Sequence, residues 1–195
     1  MSLVVQFDDL LSRLRARPVR QDSDDPEGER AAVAAILRPG PDAGEILFIR
    51  RAEREGDPWS GHMAFPGGRK DPSDASARET AVRETLEELG LDLNAHGELV
   101  TRLPGVQAMT KRGPANLVVV PFVFVLRGDV ELRPNHEVAE ALWTPYGRLL
   151  RGEGKKPYPY EWGGIVHQLP SFDVDGRIVW GLTHRMLEIM ADALA

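Results

Sequence analysis

Glu84, Glu87 and Glu88 place three carboxylates in the stretch Arg83-Glu84-Thr85-Leu86-Glu87-Glu88-Leu89-Gly90. Residues three and four apart on a helix are neighbours, so these side chains project to one side, where like charges repel. A hard divalent cation, which takes oxygen ligands, offsets that repulsion. A solvated acidic face is the plainer alternative. Just upstream, Phe65-Pro66-Gly67-Gly68 reads as a glycine turn leading into the same helix.

The elements that must position these groups follow from periodicity and turn chemistry. Helix-start residues at Asp71–Asp74 predict a helix over about 75–89, stopped by Gly90 at a left-handed cap. Ser76 with Glu79 suits a capping box, with Asp74 a competing N-cap. Apolar spacing predicts an amphipathic helix at about 3–16, which packs on its own domain or across a homodimer; we favour the first. Strands are expected at 31–37, 45–49, 62–65, 98–103, 117–126 and 137–143, with a short helix at 146–150 and a final helix at 183–194. The run at 117–126 is nearly all apolar and should be central, although Pro121 implies a bulge or an edge. Asp175-Gly176 predicts a hairpin between 171–174 and 177–180. Residues 52–61 and the aromatic stretch 153–164 read as loops. Interleaved strands and helices without a repeat or linker indicate one mixed α/β domain over 1–195.

Composition narrows the function. The 195 residues are 42% apolar and 28% charged, normal for a globular domain able to bury a core. A net charge of −6 argues against a general nucleic-acid surface, so an anionic substrate would depend on local Arg and Lys groups and on metal. The absence of cysteine excludes disulfides, Cys-ligated zinc and thiol catalysis. No apolar run is long enough for a membrane span, and neither a signal peptide nor a C-terminal address is evident, so a cytoplasmic protein is expected.

The segment FPGGRKDPSDASARETAVRETLEELGL, residues 65–91, closely resembles the Nudix box. The resemblance implies a Nudix fold, a mixed sheet sandwiched between helices. It also implies Mg²⁺-dependent hydrolysis of a diphosphate bond in a nucleoside diphosphate derivative, with Mn²⁺ able to substitute. By that similarity Glu84 and Glu88 are metal ligands, Glu87 is a third or acts through water, and the Gly68 carbonyl adds a backbone ligand. Arg83 orients a box carboxylate. Glu87 is the first choice of general base and Glu137 the second. Where the box usually has a glutamate, eight residues before its Arg-Glu pair, this chain has Ala75, and the spacing from the glycine turn is one residue longer. Asp74 beside it either replaces that carboxylate or caps the helix.

The longer spacing, with Gly61-His62-Met63-Ala64-Phe65-Pro66-Gly67-Gly68, resembles the coenzyme A pyrophosphatase branch. It implies coenzyme A or an acyl derivative as substrate, giving 3′,5′-ADP and a phosphopantetheine. Asp57 stands where that branch usually has arginine. A pyrophosphatase for ADP-ribose, NADH or a nucleotide sugar is the alternative, and a Nudix-fold regulator without catalysis is the other. Substrate-contact candidates are Arg50, Arg51 and Arg69, with Arg54 and Lys70 beside them, and Trp59 as a stacking surface. Tyr158, Tyr160 and Trp162 raise the same question. Gln107, Lys111 and Arg112 are read as part of a loop able to close over the site, and His62 as structural.

Overall fold

A computed structural model describes residues 6–18, 20–21, 25–55, 59–110 and 113–192. The chain runs α1 (Phe7–Arg15), β1 (Glu29–Arg38), β2 (Glu45–Arg51), β3 (Met63–Ala64), β4 (Gly67–Arg69), α2 (Ala77–Leu89), α3 (Leu93–His96) and β5 (Gly97–Arg102). It continues through β6 (Val106–Thr110), β7 (Gly113–Leu126), β8 (Val138–Pro145), α4 (Tyr146–Leu150), β9 (Lys155–Trp162), β10 (Ile165–Val174), β11 (Arg177–Trp180) and α5 (Gly181–Ala191). Among the described residues, β1–β8 form one mixed sheet and β9–β11 a second, antiparallel one.

Strand alternation assigns the two faces of the main sheet. Ala35 and Leu37 of β1, Ile46 and Phe48 of β2, and Val123 and Val125 of β7 share a core with α1, α4, α5 and the second sheet. The intervening residues Ala34, Ile36, Leu47, Ile49, Val120 and Phe124 face the other way, onto Ala77, Ala81 and Leu89 of α2. The sheet is thus sandwiched between helices, as expected. Leu10, Leu11 and Leu14 seat α1 on its own domain. Residues 3–5 of the expected first helix and 193–194 of the expected last one, like Asp57, Lys111 and Arg112, lie outside the described residues. No helix among the described residues is long and apolar enough to cross a membrane.

β1 and β2 pair only at their Leu37/Ile46 and Arg38/Glu45 ends and then diverge. Segment 63–69 fills the gap, with β3 on β2 and β4 on β1. The glycine turn is therefore held between two core strands. Gly67, at φ +150°, packs against Val33 so closely that a Cβ would lie 2.2 Å from the Ala32 carbonyl oxygen. α2 packs on β1 and β4 here.

Three expectations about secondary structure are corrected. Residues 153–164 are not a loop: β9 pairs with β10 from Lys155↔Phe172 to Trp162↔Ile165, turning at Gly163-Gly164. Pro157 and Pro159 hid this strand, yet β9 is an edge, where proline is tolerated. Gln107 likewise lies in a strand, β6, and its side chain donates to the Ala115 carbonyl across the hairpin. Pro121 marks neither an edge nor a bulge. It sits inside β7, paired with Val33 of β1, where the opposite neighbour changes from β5 to β6. Its missing N–H falls at that changeover, and its carbonyl accepts from Leu103 N at 2.9 Å.

Candidate active site

α2 (ARETAVRETLEEL) consists mostly of good helix formers, and its ends are fixed by local chemistry. Ser76 is the N-cap, its hydroxyl accepting from Glu79 N at 3.2 Å, while Glu79 accepts from Ala75 N at 2.8 Å. Such a cap contributes about 1 kcal/mol. Gly90 ends the helix at φ 65°, donating to the Leu86 carbonyl.

The three glutamates lie on one side of α2 but in graded environments. Glu88 is 3% exposed and accepts from Gly67 N at 2.9 Å. The Glu84 side chain is 17% exposed and that of Glu87 54%. A Cβ at Gly68 would stand 2.5 Å from the Glu84 carboxylate, so Glu84 lies directly against the turn. Burial pushes the Glu88 carboxyl up to about 8, helped by the neighbouring Glu84 and Glu137 charges and opposed by Gly67 N–H and Arg51. Burial also raises Glu84, against the pull of Arg83.

Arg83 is the hub that makes this crowding tolerable. Its Nε donates to Asp74 Oδ1 at 2.9 Å and its Nη2 to Asp74 Oδ2 at 3.0 Å. Nη1 reaches Glu84 at 3.0 Å and Glu87 at 3.2 Å, and Nη2 also reaches the Arg69 carbonyl. Every guanidinium nitrogen is engaged within the protein, so Arg83 is a positioning residue. Asp74 is its buried counterpart. Besides Arg83 it accepts from Asp71 N and Thr80 Oγ1, both at 2.9 Å. The guanidinium and these donors hold its carboxyl far below the usual range. Asp74 therefore does not cap α2, a role taken by Ser76; its carboxylate anchors the arginine.

The substrate-contact candidates separate. Arg51 lies on the box side, close enough to bias Glu88. Arg50 faces the other way, towards Glu140 at 3.6 Å. Arg69 is exposed and paired with Glu29 at 2.5 Å, and Lys70 Nζ donates to the Asp74 carbonyl. Trp59 is 46% exposed in the turn before β3. Arg54 holds Glu137 at 2.9 Å. Glu137 stands near enough to raise both Glu84 and Glu88, completing an acidic rim around the turn.

These groups could hold a hard cation. The donors are all oxygens, and a buried carboxylate with a single amide partner is poorly compensated until a positive charge arrives. Among the described residues no three acidic or imidazole groups already converge on one point. The donors instead surround the turn, two of them tied back by Arg83.

Comparison with known proteins agrees with this geometry. The family model for the NUDIX domain matches residues 28–162. The chain is 32% identical to the mitochondrial coenzyme A diphosphatase NUDT8 of Homo sapiens, over 94% of this chain and 73% of that protein. It is 26% identical to Nudix hydrolase 22, chloroplastic, of Arabidopsis thaliana, over 94% of this chain and 58% of that protein. Of the first three curated relatives it matches, the chain spans about a third to three fifths of the length. The crystallised NUDIX domain of Shewanella oneidensis NrtR, complexed with ADP ribose, shares the fold at a TM-score of 0.55 and 15% identity, over 90% of this chain and 94% of that one. The chain belongs to the Nudix family.

Proposed function

We propose that this protein hydrolyses the diphosphate bond of coenzyme A or an acyl derivative, releasing 3′,5′-ADP and the corresponding phosphopantetheine. The observation that carries the reading is the buried Glu88 beside Glu84, both against the Gly67-Gly68 turn. Glu84 and Glu88, with Glu87 and the Gly68 carbonyl, would hold Mg²⁺, and Mn²⁺ would substitute. When bound, the ion supplies neutralisation of phosphate oxygens and lowers the pKa of water.

The chain's own residues do the rest. Arg83, fixed by Asp74, holds Glu84 and Glu87 in place. Glu87, the most exposed of the three, accepts the proton of the attacking water; Glu137, held by Arg54, is the second choice for this role. Arg51, beside the box, meets the anionic diphosphate. The substrate assignment is supported by the Gly61–Gly68 pattern and by the coenzyme A diphosphatase named among the relatives.

The test is a panel of coenzyme A, acyl-coenzyme A, ADP-ribose, NADH and dinucleoside polyphosphates with Mg²⁺ or Mn²⁺, with products separated chromatographically. Preferential release of 3′,5′-ADP supports the reading, and preferential release of AMP from ADP-ribose contradicts it. Inactivity across the panel despite bound metal would favour a ligand-binding regulator, the reading that Ala75 keeps in view.

A further inference from the structure

A cleft of about 510 Å³ opens where the main sheet meets the β9–β11 sheet. Its walls are Arg50 and Glu140 from the main sheet, and Tyr158, Arg177 and Trp180 from the second. That volume lies within the usual range for small-molecule sites. The two sheets are fastened around it. Arg177 donates through Nε and Nη2 to both oxygens of Glu140, and Thr183 Oγ1 donates to the Met63 carbonyl.

Ring surface is concentrated on one side. Trp180 lies 4.8 Å from Tyr158, 5.0 Å from Tyr160 and 5.1 Å from His62, the last edge-on. Trp180, Tyr158 and His62 all line the cleft. Tyr158 and Tyr160 project from β9, so the second sheet brings this aromatic wall to the main sheet.

The charges do not make a second phosphate site. Arg50 and Arg177 are matched by Glu140 and Asp175, all four lining the cleft. Arg177 is engaged at all three nitrogens, since Nη1 donates to the Asp175 carbonyl at 3.0 Å. Arg50 reaches Glu140 only at 3.6 Å, beyond hydrogen-bond length. The cleft thus offers an aromatic wall, a balanced charge and one guanidinium with donors in reserve. Those features suit a flat, uncharged ring bearing hydrogen-bond acceptors. Met63 on the cleft and Gly67 at the box are four residues apart, at most about 14 Å along an extended chain. Both belong to the segment that fills the gap between β1 and β2, so a substituted nucleotide reaching past this segment, from one face of the main sheet to the other, would occupy both.

We propose that this cleft takes the nucleobase of the substrate, with Tyr158 and Trp180 stacking on it and Arg50 donating to its ring acceptors. The assignment rests on the diphosphate-hydrolase reading for its substrate, but its first test does not require catalysis. Adenosine, ribose 5-phosphate and pantetheine are each added to the full-length protein, and saturation-transfer NMR records which protons receive magnetisation. The expected result is transfer to the adenine ring protons, reduced at least fivefold in both Tyr158→Leu and Arg50→Gln. Arg50→Gln leaves the Glu140–Arg177 clasp in place, and thermal melts verify that each variant is folded. With coenzyme A, the same variants should raise KM about tenfold, a typical loss for one stacked base, while kcat changes less than threefold.

Adenine signals and KM unchanged in both folded variants would overturn the assignment. So would pantetheine, rather than adenosine, losing its signal in them. Adenosine binding in the cleft by a protein that hydrolyses no diphosphate would leave the cleft assigned and refute the proposed reaction instead.

Discussion

Arg83 grips Asp74 in a two-point fork, Nε to Oδ1 at 2.9 Å and Nη2 to Oδ2 at 3.0 Å, with the carboxylate almost wholly buried. The pair lies one layer behind the box glutamates and determines where they stand, because the remaining nitrogen of the same guanidinium holds Glu84 and Glu87.

Removing Asp74 should therefore harm both stability and turnover. Asp74→Ala leaves a partly buried guanidinium without its main partner. A loss of about 2–3 kcal/mol is expected, below the figure for a fully buried pair because Arg83 keeps some exposure. Residues that orient ligating groups typically contribute about 10–100-fold to activity. Denaturant melts and steady-state kinetics on coenzyme A should show a fall in kcat of that order with KM within about threefold. Wild-type kcat in the variant would remove Asp74 from the account.

The two glycines of the turn should behave differently. A Cβ at Gly67 meets backbone, 2.2 Å from the Ala32 carbonyl oxygen, in a conformation that L residues rarely adopt. Gly67→Ala should cost about 3 kcal/mol or more in a denaturant melt. At Gly68 the atoms nearest a Cβ are the carboxylate end of Glu84, a side-chain terminus held by one Arg83 contact, which can shift at less cost than backbone. Gly68→Ala should melt within about 1 kcal/mol of wild type yet lose about a hundredfold in kcat, because it displaces Glu84. Equal stability losses in the two would contradict the placement of the turn.

Stability of the metal-free protein should fall towards alkaline pH. Glu88 has a folded pKa raised to about 8 from a usual value of 4.5. Between those values the folded state keeps a proton that the unfolded state releases, so stability declines as pH rises, by about 5 kcal/mol. Asp74 has the opposite sign. Its folded pKa is depressed, so its contribution is present above the usual carboxylate range and is lost as pH falls. Thermal melts in EDTA should show maximal stability at about pH 5. Glu88→Gln should flatten the alkaline decline and be more stable than wild type at pH 8. A decline that persists in Glu88→Gln would contradict the burial of this carboxyl.

Divalent metal should reverse that alkaline loss, because an ion that binds only the folded state stabilises it by mass action. Adding Mg²⁺ or Mn²⁺ at pH 8 should raise the Tm of wild type, by about 2.7 kcal/mol equivalent at a hundredfold excess over Kd. The Tm of the Glu84→Gln/Glu88→Gln double variant should not respond. An equal rise in both would place the ion elsewhere.

Much of this was legible in the sequence, for identifiable reasons. Gly90 at φ 65° and the Asp175-Gly176 hairpin were readable because local turn chemistry alone determines them. The run 117–126 indicated a central strand because it is nearly all apolar, and successive side chains of a strand buried on both faces must all be apolar. Asp74 was not readable: its partner Arg83 is nine residues away, and helix-start chemistry at Ser76 concealed the pairing. Arg50 and Arg51 looked equivalent in sequence, yet strand alternation sends one to the aromatic cleft and the other to the box. The β9–β10 hairpin was hidden by prolines that only an edge strand accepts.

The most direct test is the rate of 3′,5′-ADP release from coenzyme A as Mg²⁺ is titrated, for wild type and Glu88→Gln under the same conditions. Wild-type turnover should be abolished by EDTA and restored by Mg²⁺, with Glu88→Gln at least about a hundredfold slower at saturating metal, the loss expected when a charge-stabilising group is removed. Full activity in Glu88→Gln, or wild-type turnover indifferent to EDTA, would contradict the account.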